Sequence, residues 1–311
     1  MPLFSIVIPC YNGAKTLIDT LNSVCAQTYR DFELVVVNDG STDSSLEILQ
    51  SFSGKLPLKI ISQENAGLGA ARNTGILNSI GEYVAFLDAD DLWIGSKLQR
   101  VREVIATSRA DLVCHYEDMQ IEGKSLGILR HGPYTDYYDL LFKGNCLSPS
   151  AVCVRRKLLL DVGLFSVEKE GHGCEDWDLW LNISKMGANI QYIEEVLGIY
   201  VLYDNNMSQA SGFYKKGRHV FESHVSKMLP VSAGIKKQIR GARAIHEIQA
   251  AIGLYKGAAY IEAWRSLIEA FVQGVASQFF WSQLLRKSFN AAHRKIKRFV
   301  DHRTAAAICC K

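Results

Sequence analysis

The chain has 311 residues, of which 48% are hydrophobic and 22% are charged, and it contains no uncharged apolar run long enough to cross a bilayer. This composition is that of a globular, soluble protein and excludes fibrous and low-complexity chains. The length predicts one large α/β domain with an appended segment, or two domains. Eight cysteines without a CxxC pair predict reduced thiols, and the first residues predict a strand instead of a signal peptide. We therefore expect a cytoplasmic protein.

The charge is distributed unevenly along the chain. Residues 1–210 contain 17 Lys and Arg against 27 Asp and Glu, a net charge of −10, whereas residues 211–311 contain 18 against 5, a net charge of +13. An acidic part is suited to binding a cation, and a basic part to anionic partners such as phosphates, nucleic acid or a lipid surface. The two parts are therefore expected to have different functions.

Short apolar runs alternate with helical patterns through the first half of the chain. The predicted strands are FSIVIP, FELVVVN, LKIIS, EYVAFLD and ADLVCHY, and the predicted helices between them include AKTLIDTLNSVCAQ and SSLEILQSF. Near-continuous apolar strands separated by amphipathic helices are typical of a mainly parallel sheet that is covered on both faces. The sequence therefore predicts an α/β fold with a central sheet flanked by helices.

Beyond residue 115 the alternation is less regular. A helical DWDLWLNISKMG and a strand-like IQYIEEVLGIYVLY follow a turn-rich VEKEGHGCED. We interpret residues 1–115 as one half of a domain that ends near residue 210, and residues 116–210 as its second half. Residues 211–311 have apolar positions at helical spacing and predict a basic, mostly helical C-terminal segment.

Polar clusters follow three of the predicted strands, at residues 9–12, 38–43 and 88–91. Ligands of open parallel sheets bind in the crevice at the carboxyl ends of the strands. We therefore expect the three clusters to meet at one edge and form one site.

The acidic cluster at residues 88–91 contains Asp88, Asp90 and Asp91. On an extended backbone Asp88 and Asp90 point to the same face. Paired carboxylates suit Mg²⁺ or Mn²⁺, which commonly bridges to substrate phosphates. The alternative is that these acids only cap a turn and the next helix.

Two further side chains near this edge each have more than one interpretation. Asp39 is either a turn residue or a carboxylate that accepts the imide N–H of a uracil ring. Arg72 follows Gly67 and Gly69 in an incomplete dinucleotide-binding pattern. It either holds a diphosphate, braces Asp39, or is a solvated helix residue.

A second acidic cluster, Glu175-Asp176-Trp177, follows a glycine-rich loop. Acids in a first helical turn are favoured by the helix dipole alone. Asp176 also lies beside an indole, where partial desolvation would make it a general base. Trp177 and Trp180 either pack in the core or line a sugar pocket, and His172 is a weaker alternative as the base.

Five motifs in order resemble those of family 2 glycosyltransferases across about residues 3–200. They are SIVIPCYN at residues 5–12, NDGSTD at 38–43, NAG with ARN at 65–73, DADD at 88–91 and EDW at 175–177. The resemblance implies a GT-A fold, a UDP-sugar or similar nucleotide-sugar donor, Mn²⁺ or Mg²⁺ as cofactor, and inversion at the anomeric carbon. Asn38 stands where many relatives have an acid.

The resemblance also implies a role for each matching residue. It assigns donor binding to Pro9, Tyr11, Asp39, Arg72, Asp88 and Ala89, the metal to Asp90 and Asp91, the catalytic base to Asp176, and acceptor-side contacts to Glu175 and Trp177. The implied acceptor is a saccharide or a lipid-linked saccharide, in cell-surface polysaccharide or glycolipid synthesis.

The basic tail has no counterpart in the resemblance. Residues 278–300 combine aromatic and basic side chains, which suits either an interfacial helix on an anionic membrane, at the inner face, or a packed helix with a solvated basic face. Two other functions fit part of the pattern. One is a metal-dependent nucleotidyltransferase, disfavoured because its first loop would be richer in glycine and lysine, and the other is a non-catalytic module that binds anionic ligands. No nucleic-acid-binding signature is present, so we expect no nucleic-acid partner.

Overall fold

The computed structural model describes residues 1–134, 136–203, 213–228, 230–256 and 259–274. The chain forms two compact units, Met1–Val220 and Phe221–Lys311. The strands of the first unit are β1 (Phe4–Cys10), β2 (Phe32–Asp39), β3 (Leu58–Gln63), β4 (Tyr83–Phe86), β5 (Leu92–Trp93), β6 (Leu112–Ile121), β7 (Lys124–Leu129), β8 (Val152–Arg155) and β9 (Ile190–Val201). The helices along the chain are α1 (Leu17–Cys25), α2 (Ser45–Ser51), α3 (Leu68–Leu77), α4 (Lys97–Ser108), α5 (Tyr137–Lys143), α6 (Arg156–Asp161), α7 (Glu175–Lys185), α8 (Phe213–Ser226), α9 (Ala233–Lys256) and α10 (Tyr260–Gly274).

The strands form one sheet in the order β3-β2-β1-β4-β8-β6-β9-β5, with β7 paired to β6. The first four strands are parallel to one another, as the alternation of strands and helices predicted. Their order reverses between β1 and β4, which places the loops after β1 and β4 side by side. Such a reversal creates the crevice in which ligands of α/β sheets bind.

The second half of the sheet is mixed. Strand β8 runs antiparallel between β4 and β6, whereas β6 and β9 are parallel. The strand β7 forms a hairpin with β6 through Glu122 and Gly123, both of which have positive φ angles. These antiparallel pairs account for the less regular pattern of the sequence beyond residue 115.

Continuous burial of β1 explains its apolar sequence, because helices cover the sheet on both faces. Helix α1 buries Leu17, Thr20, Leu21 and Val24, which lie on one helical face. Helix α3 comes close to β1 at Gly75, where an added Cβ would lie 2.3 Å from Cγ1 of Val7.

In the second unit, α10 is an amphipathic helix whose buried face consists of small residues. Ala263, Ala270 and Gly274 are buried, and Ala270 packs in a small apolar cluster with Ala244 of α9. The helical prediction for this segment is confirmed over the described residues. The segment 278–300, for which the sequence predicts either a membrane-bound helix or a packed helix, lies outside them.

The close approach at Gly75 yields a prediction about stability. Because non-bonded carbon atoms pack at about 3.5–4.0 Å, Gly75→Ala forces α3 away from β1 and is expected to lower the free energy of unfolding by about 1–3 kcal/mol. The control is Gly217 of α8, where an added Cβ would meet nothing closer than 3.9 Å. Gly217→Ala is expected to raise stability by about 0.5–1 kcal/mol. Urea unfolding measures both, and a neutral Gly75→Ala would contradict the tight packing.

Candidate active site

A buried arginine lies at the centre of the site. Arg72 of α3 is only 2% exposed. Its Nη2 donates to both carboxylate oxygens of Asp88, at 2.7 and 3.0 Å, and its Nη1 lies 3.4 Å from Oε1 of Glu175. Burial lowers the pKa of Arg72, but the charges of Asp88 and Glu175 raise it above its ordinary value. This ion triad links the end of β4 to the first turn of α7.

The turn after β4 is held in place through its last aspartate. Asp91 is 2% exposed; its Oδ2 accepts from the Ser150 hydroxyl at 2.6 Å and its Oδ1 from the Val201 N–H at 3.0 Å. The Ser150 hydroxyl also accepts from the Asp88 N–H at 3.1 Å. Burial and the charge of Glu117 raise the pKa of Asp91 well above its ordinary range. Asp91, to which the resemblance assigned the metal, is therefore buried, and the hydrogen bonds to its two oxygens anchor the turn.

Asp90 is the aspartate of this turn that faces a cavity. Ala89 beside it is fixed through its carbonyl oxygen, which accepts from the hydroxyls of Thr16 and Thr20 at 2.7 and 3.0 Å. Burial and the charge of Asp88 raise the pKa of Asp90 to about 6. The cavity has a volume of about 270 Å³, and its other lining residues are Thr16, Asp19, Leu92, Gln120, Glu122, Gly123, Val201, Leu202 and Tyr203.

The carboxylate chemistry of Asp90 and Asp88 suits a hard divalent cation, because such ions prefer oxygen ligands. Within the described ranges no three His, Cys, Asp or Glu side chains are arranged to hold a metal ion. A cation at Asp90 would therefore complete its coordination with donor phosphates and water, as Mg²⁺ commonly does.

Asp39 is buried at the end of β2 and holds the loop that precedes α3. Its carboxylate accepts from Nε2 of Gln63 at 2.7 Å and from the N–H groups of Ala66 and Gly67 at 2.9 and 3.0 Å. Arg72 does not brace Asp39, an alternative raised by the sequence, because its guanidinium is directed to Asp88. A carboxylate has about four acceptor positions, so one oxygen of Asp39 can still accept from a ligand.

The loop after β1 lies beside the loop after β2. Pro9 is buried within β1, whereas the side chain of Tyr11 is 55% exposed. Asn12 accepts from the Thr42 N–H at 2.8 Å, and Ala14 donates to Asp43 at 3.0 Å. The structure therefore brings together two of the predicted polar clusters.

Asp176 lies on the first turn of α7 and is partly exposed. Its Oδ2 accepts from Nδ2 of Asn145 at 2.7 Å, and its Oδ1 from the Trp177 N–H at 2.8 Å. Burial and the charge of Glu175 raise the pKa of Asp176 to about 7. A carboxylate with this pKa can accept a proton near neutral pH.

The two tryptophans of α7 pack inside the fold, which decides between the alternatives for them. Trp177 is 4% exposed and donates through Nε1 to the Leu140 carbonyl oxygen at 3.1 Å. Trp180 is fully buried and donates to the Leu147 carbonyl oxygen at 3.2 Å. Trp177, to which the resemblance assigned an acceptor-side contact, is therefore buried and holds the backbone at Leu140.

Asn145 and Ser150 contact the predicted site residues, and sequence reasoning missed both. Their segment, GNCLSPS, has the composition of a turn. Nothing in it indicates, for example, that Asn145 contacts Asp176, which lies 31 positions further along the chain. Nearby, His131 contacts Glu117 at 2.9 Å, and His115 is fully buried.

Comparisons with known proteins identify the family of the chain. The profile of glycosyl transferase family 2 matches residues 5–145. An uncharacterized glycosyltransferase of Nostoc sp., alr2836, is 36% identical over 225 residues, which cover 67% of each chain. TuaG of Bacillus subtilis, whose name assigns it to teichuronic acid biosynthesis, is 31% identical over 67% of this chain and 82% of its own.

Solved structures share the fold. S. aureus TarS 1–349 in complex with UDP-GlcNAc has a TM-score of 0.59 at 23% identity and covers 87% of this chain and 92% of its own. The mannosyltransferase PcManGT of Pyrobaculum calidifontis, in complex with GDP-Man and Mn²⁺, has a TM-score of 0.59 at 20% identity over 96% and 82%. None of the helices that the structure describes is long and apolar enough to span a membrane. The chain has the GT-A fold and belongs to glycosyl transferase family 2.

Proposed function

We propose that this glycosyltransferase moves a hexosyl or N-acetylhexosaminyl group from a UDP-sugar to an acceptor hydroxyl, with inversion at the anomeric carbon. One observation carries the proposal: the ion triad of Arg72 joins the turn that contains Asp90 to the helix that contains Asp176. A carboxylate for the cation and a carboxylate for the acceptor proton are thus fixed by the same buried group.

The donor is proposed to bind at the carboxyl ends of β1, β2 and β4. Tyr11 and Pro9 would flank the base, and Asp39 would accept its imide N–H, with the orientation of Asp39 set by the loop before α3. Arg72 and Asp88 would lie near the diphosphate and ribose. The structures of TarS with UDP-GlcNAc and of PcManGT with GDP-Man support a nucleotide-sugar donor.

A divalent cation, Mn²⁺ or Mg²⁺, is proposed to bind at Asp90 together with the donor diphosphate. When bound, the cation neutralises the negative charge that develops on the departing nucleoside diphosphate. Asp90 is suited to hold it because its neighbours Asp88 and Asp91 are engaged by Arg72 and by Ser150. The presence of Mn²⁺ in the PcManGT structure supports this cofactor.

Asp176 is proposed to be the general base. The acceptor oxygen forms a bond to the anomeric carbon while the bond from that carbon to the diphosphate oxygen breaks, and the electron pair leaves with the diphosphate. The hydroxyl proton passes to Asp176. Attack from the side opposite the leaving group inverts the configuration.

The acceptor is proposed to be a saccharide or lipid-linked saccharide in cell-surface polysaccharide or glycolipid synthesis. The similarity to TuaG supports this class. An acceptor of that kind is consistent with a peripheral position at the cytoplasmic face of a membrane. Helix α10 supports such a position, because large apolar side chains are exposed along it: Tyr260, Ile261, Trp264, Leu267, Ile268, Phe271 and Val272, which are 39–70% exposed.

The donor and the metal are tested together by measuring hydrolysis of a panel of nucleotide sugars with and without Mn²⁺. We expect UDP-sugars to be hydrolysed fastest and EDTA to abolish the reaction. Asp90→Asn is expected to lower the Mn²⁺-dependent rate by about 100-fold, because it removes the carboxylate charge that holds the cation. Asp19→Asn, which changes another acid of the same cavity, is the control. Equal losses in the two variants would contradict a specific role for Asp90.

The base is tested by Asp176→Asn, which keeps the shape of the side chain and removes its ability to accept a proton. We expect kcat to fall by about 10²–10⁴-fold while calorimetry shows unchanged UDP binding. In the wild type, kcat should rise with pH through about 7, because only the ionised form of Asp176 accepts the proton. The control is Asp178→Asn, two positions further along in the same helical turn. Normal turnover in Asp176→Asn would remove Asp176 from the role.

The membrane position is tested by sedimentation with phosphatidylglycerol-containing and purely zwitterionic vesicles. We expect binding to the anionic vesicles, and we expect Ile261→Ser with Ile268→Ser to weaken it by at least about tenfold, since each isoleucine contributes about 1.5–3 kcal/mol when buried. The control pair is Leu77→Ser with Ile80→Ser, two side chains that are each 57% exposed in the first unit. Binding that is the same in both double variants would exclude α10 as the contact.

A further inference from the structure

We propose that Asn145 is a positioning residue for the reaction, which orients the Asp176 carboxylate towards the acceptor hydroxyl. This inference rests on the proposed role of Asp176 as the base. Asn145 is in none of the motifs that the chain shares with the family, and it lies on the loop after α5, 31 positions before the acid that it contacts.

The orientation of the Asn145 amide is set by its own loop. Its Oδ1 accepts from the Leu147 N–H at 3.1 Å, two residues further on, which is an Asx turn. Because a backbone N–H needs an acceptor, the oxygen of the amide must face Leu147, and the NH₂ group must face the other way. There it donates to Oδ2 of Asp176 at 2.7 Å.

The loop is held against α7 at two points. The indole of Trp177 donates to the Leu140 carbonyl oxygen and the indole of Trp180 to the Leu147 carbonyl oxygen, at 3.1 and 3.2 Å. These bonds lie on either side of Asn145 in the chain and come from the same helix that bears Asp176. A hydrogen-bonded frame therefore fixes the donor and the carboxylate relative to each other.

The hydrogen bond from Asn145 also affects the pKa of Asp176. The ionisable groups that act on Asp176 include Glu175 at the start of α7, Cys174 directly before that helix, and Arg72 of α3. Burial and Glu175 raise the pKa of Asp176, whereas Arg72 and the hydrogen bonds from Trp177 and Asn145 lower it. A hydrogen bond donated to a carboxylate favours its ionised form. Asn145 is thus expected to keep more of Asp176 ionised near neutral pH.

Two substitutions separate this effect from a merely structural one. Asn145→Ala removes both the Asx turn and the amide donor. Asn145→Asp keeps the oxygen that accepts from Leu147 but replaces the donor by a second negative charge beside Asp176. The measurement is kcat against pH for Mn²⁺-dependent hydrolysis of the UDP-sugar that the wild type hydrolyses fastest, with water in place of the acceptor.

We expect the acid limb of the kcat profile to move to higher pH by about half a unit to one unit in Asn145→Ala, and further in Asn145→Asp. At pH values below this limb, the shift lowers the rate of Asn145→Ala about three- to tenfold, since one pKa unit changes the ionised fraction about tenfold. UDP affinity, measured by calorimetry, should be unchanged in both variants. Asn182→Ala is the matched control, because Asn182 donates its amide to Asp178 of the same helix at 3.3 Å.

The outcomes are separable. If Asn145→Asp has the wild-type profile and only Asn145→Ala is impaired, Asn145 acts through its turn alone and the inference is wrong. Wild-type profiles in both variants overturn it as well. If instead Asp176→Asn retains full activity, the proposed base is wrong, and the failure lies with the proposed function.

Discussion

The site depends on the ion pairs that the buried guanidinium of Arg72 makes with two carboxylates. A charge removed from water is costly, and it is tolerated only where other charges and hydrogen bonds compensate it. Here the compensation comes from Asp88, at the end of β4, and Glu175, at the start of α7, with contacts of 2.7 and 3.4 Å. The turn after β4 and the first turn of α7 are therefore fixed to one buried group. Loss of Arg72 would leave two carboxylates facing each other without a counter-charge.

This arrangement divides the acids of the site into two classes. Asp88 and Glu175 are paired with Arg72, and Asp91 is anchored by Ser150 and Val201. Asp90 and Asp176 have raised pKa values of about 6 and about 7, because no positive charge compensates their burial to the same extent. Perturbed acids of this kind are typical of functional sites. Each carboxylate is therefore suited to bind a positively charged partner, which we propose to be a cation for Asp90 and a proton for Asp176.

Much of the fold could be predicted from local patterns. The runs that became β1, β2, β3, β4, β6 and β9 are apolar enough to be recognised as strands, and the spacing of α1 and α7 is clearly helical. The mixed half of the sheet could not be predicted, because the four-residue strand β8 pairs with β4 and β6, which lie far away in sequence. Strand direction depends on such long-range pairing, and the side-chain pattern of one short strand does not contain it.

For the site, the sequence by itself determined which residue types stand at the strand ends, and the order of its motifs identified the family. Its spacing paired Asp90 with Asp88, but it did not show that Asp91 would be buried, since adjacent aspartates are chemically identical until a fold buries one of them. Only the tertiary structure decided that Asp91 faces Ser150, that Arg72 pairs with Asp88 and not Asp39, and that Asn145 contacts Asp176. The physical reason is the same in each case. Burial and hydrogen bonding set the role of an ionisable group, and both depend on neighbours brought together by folding.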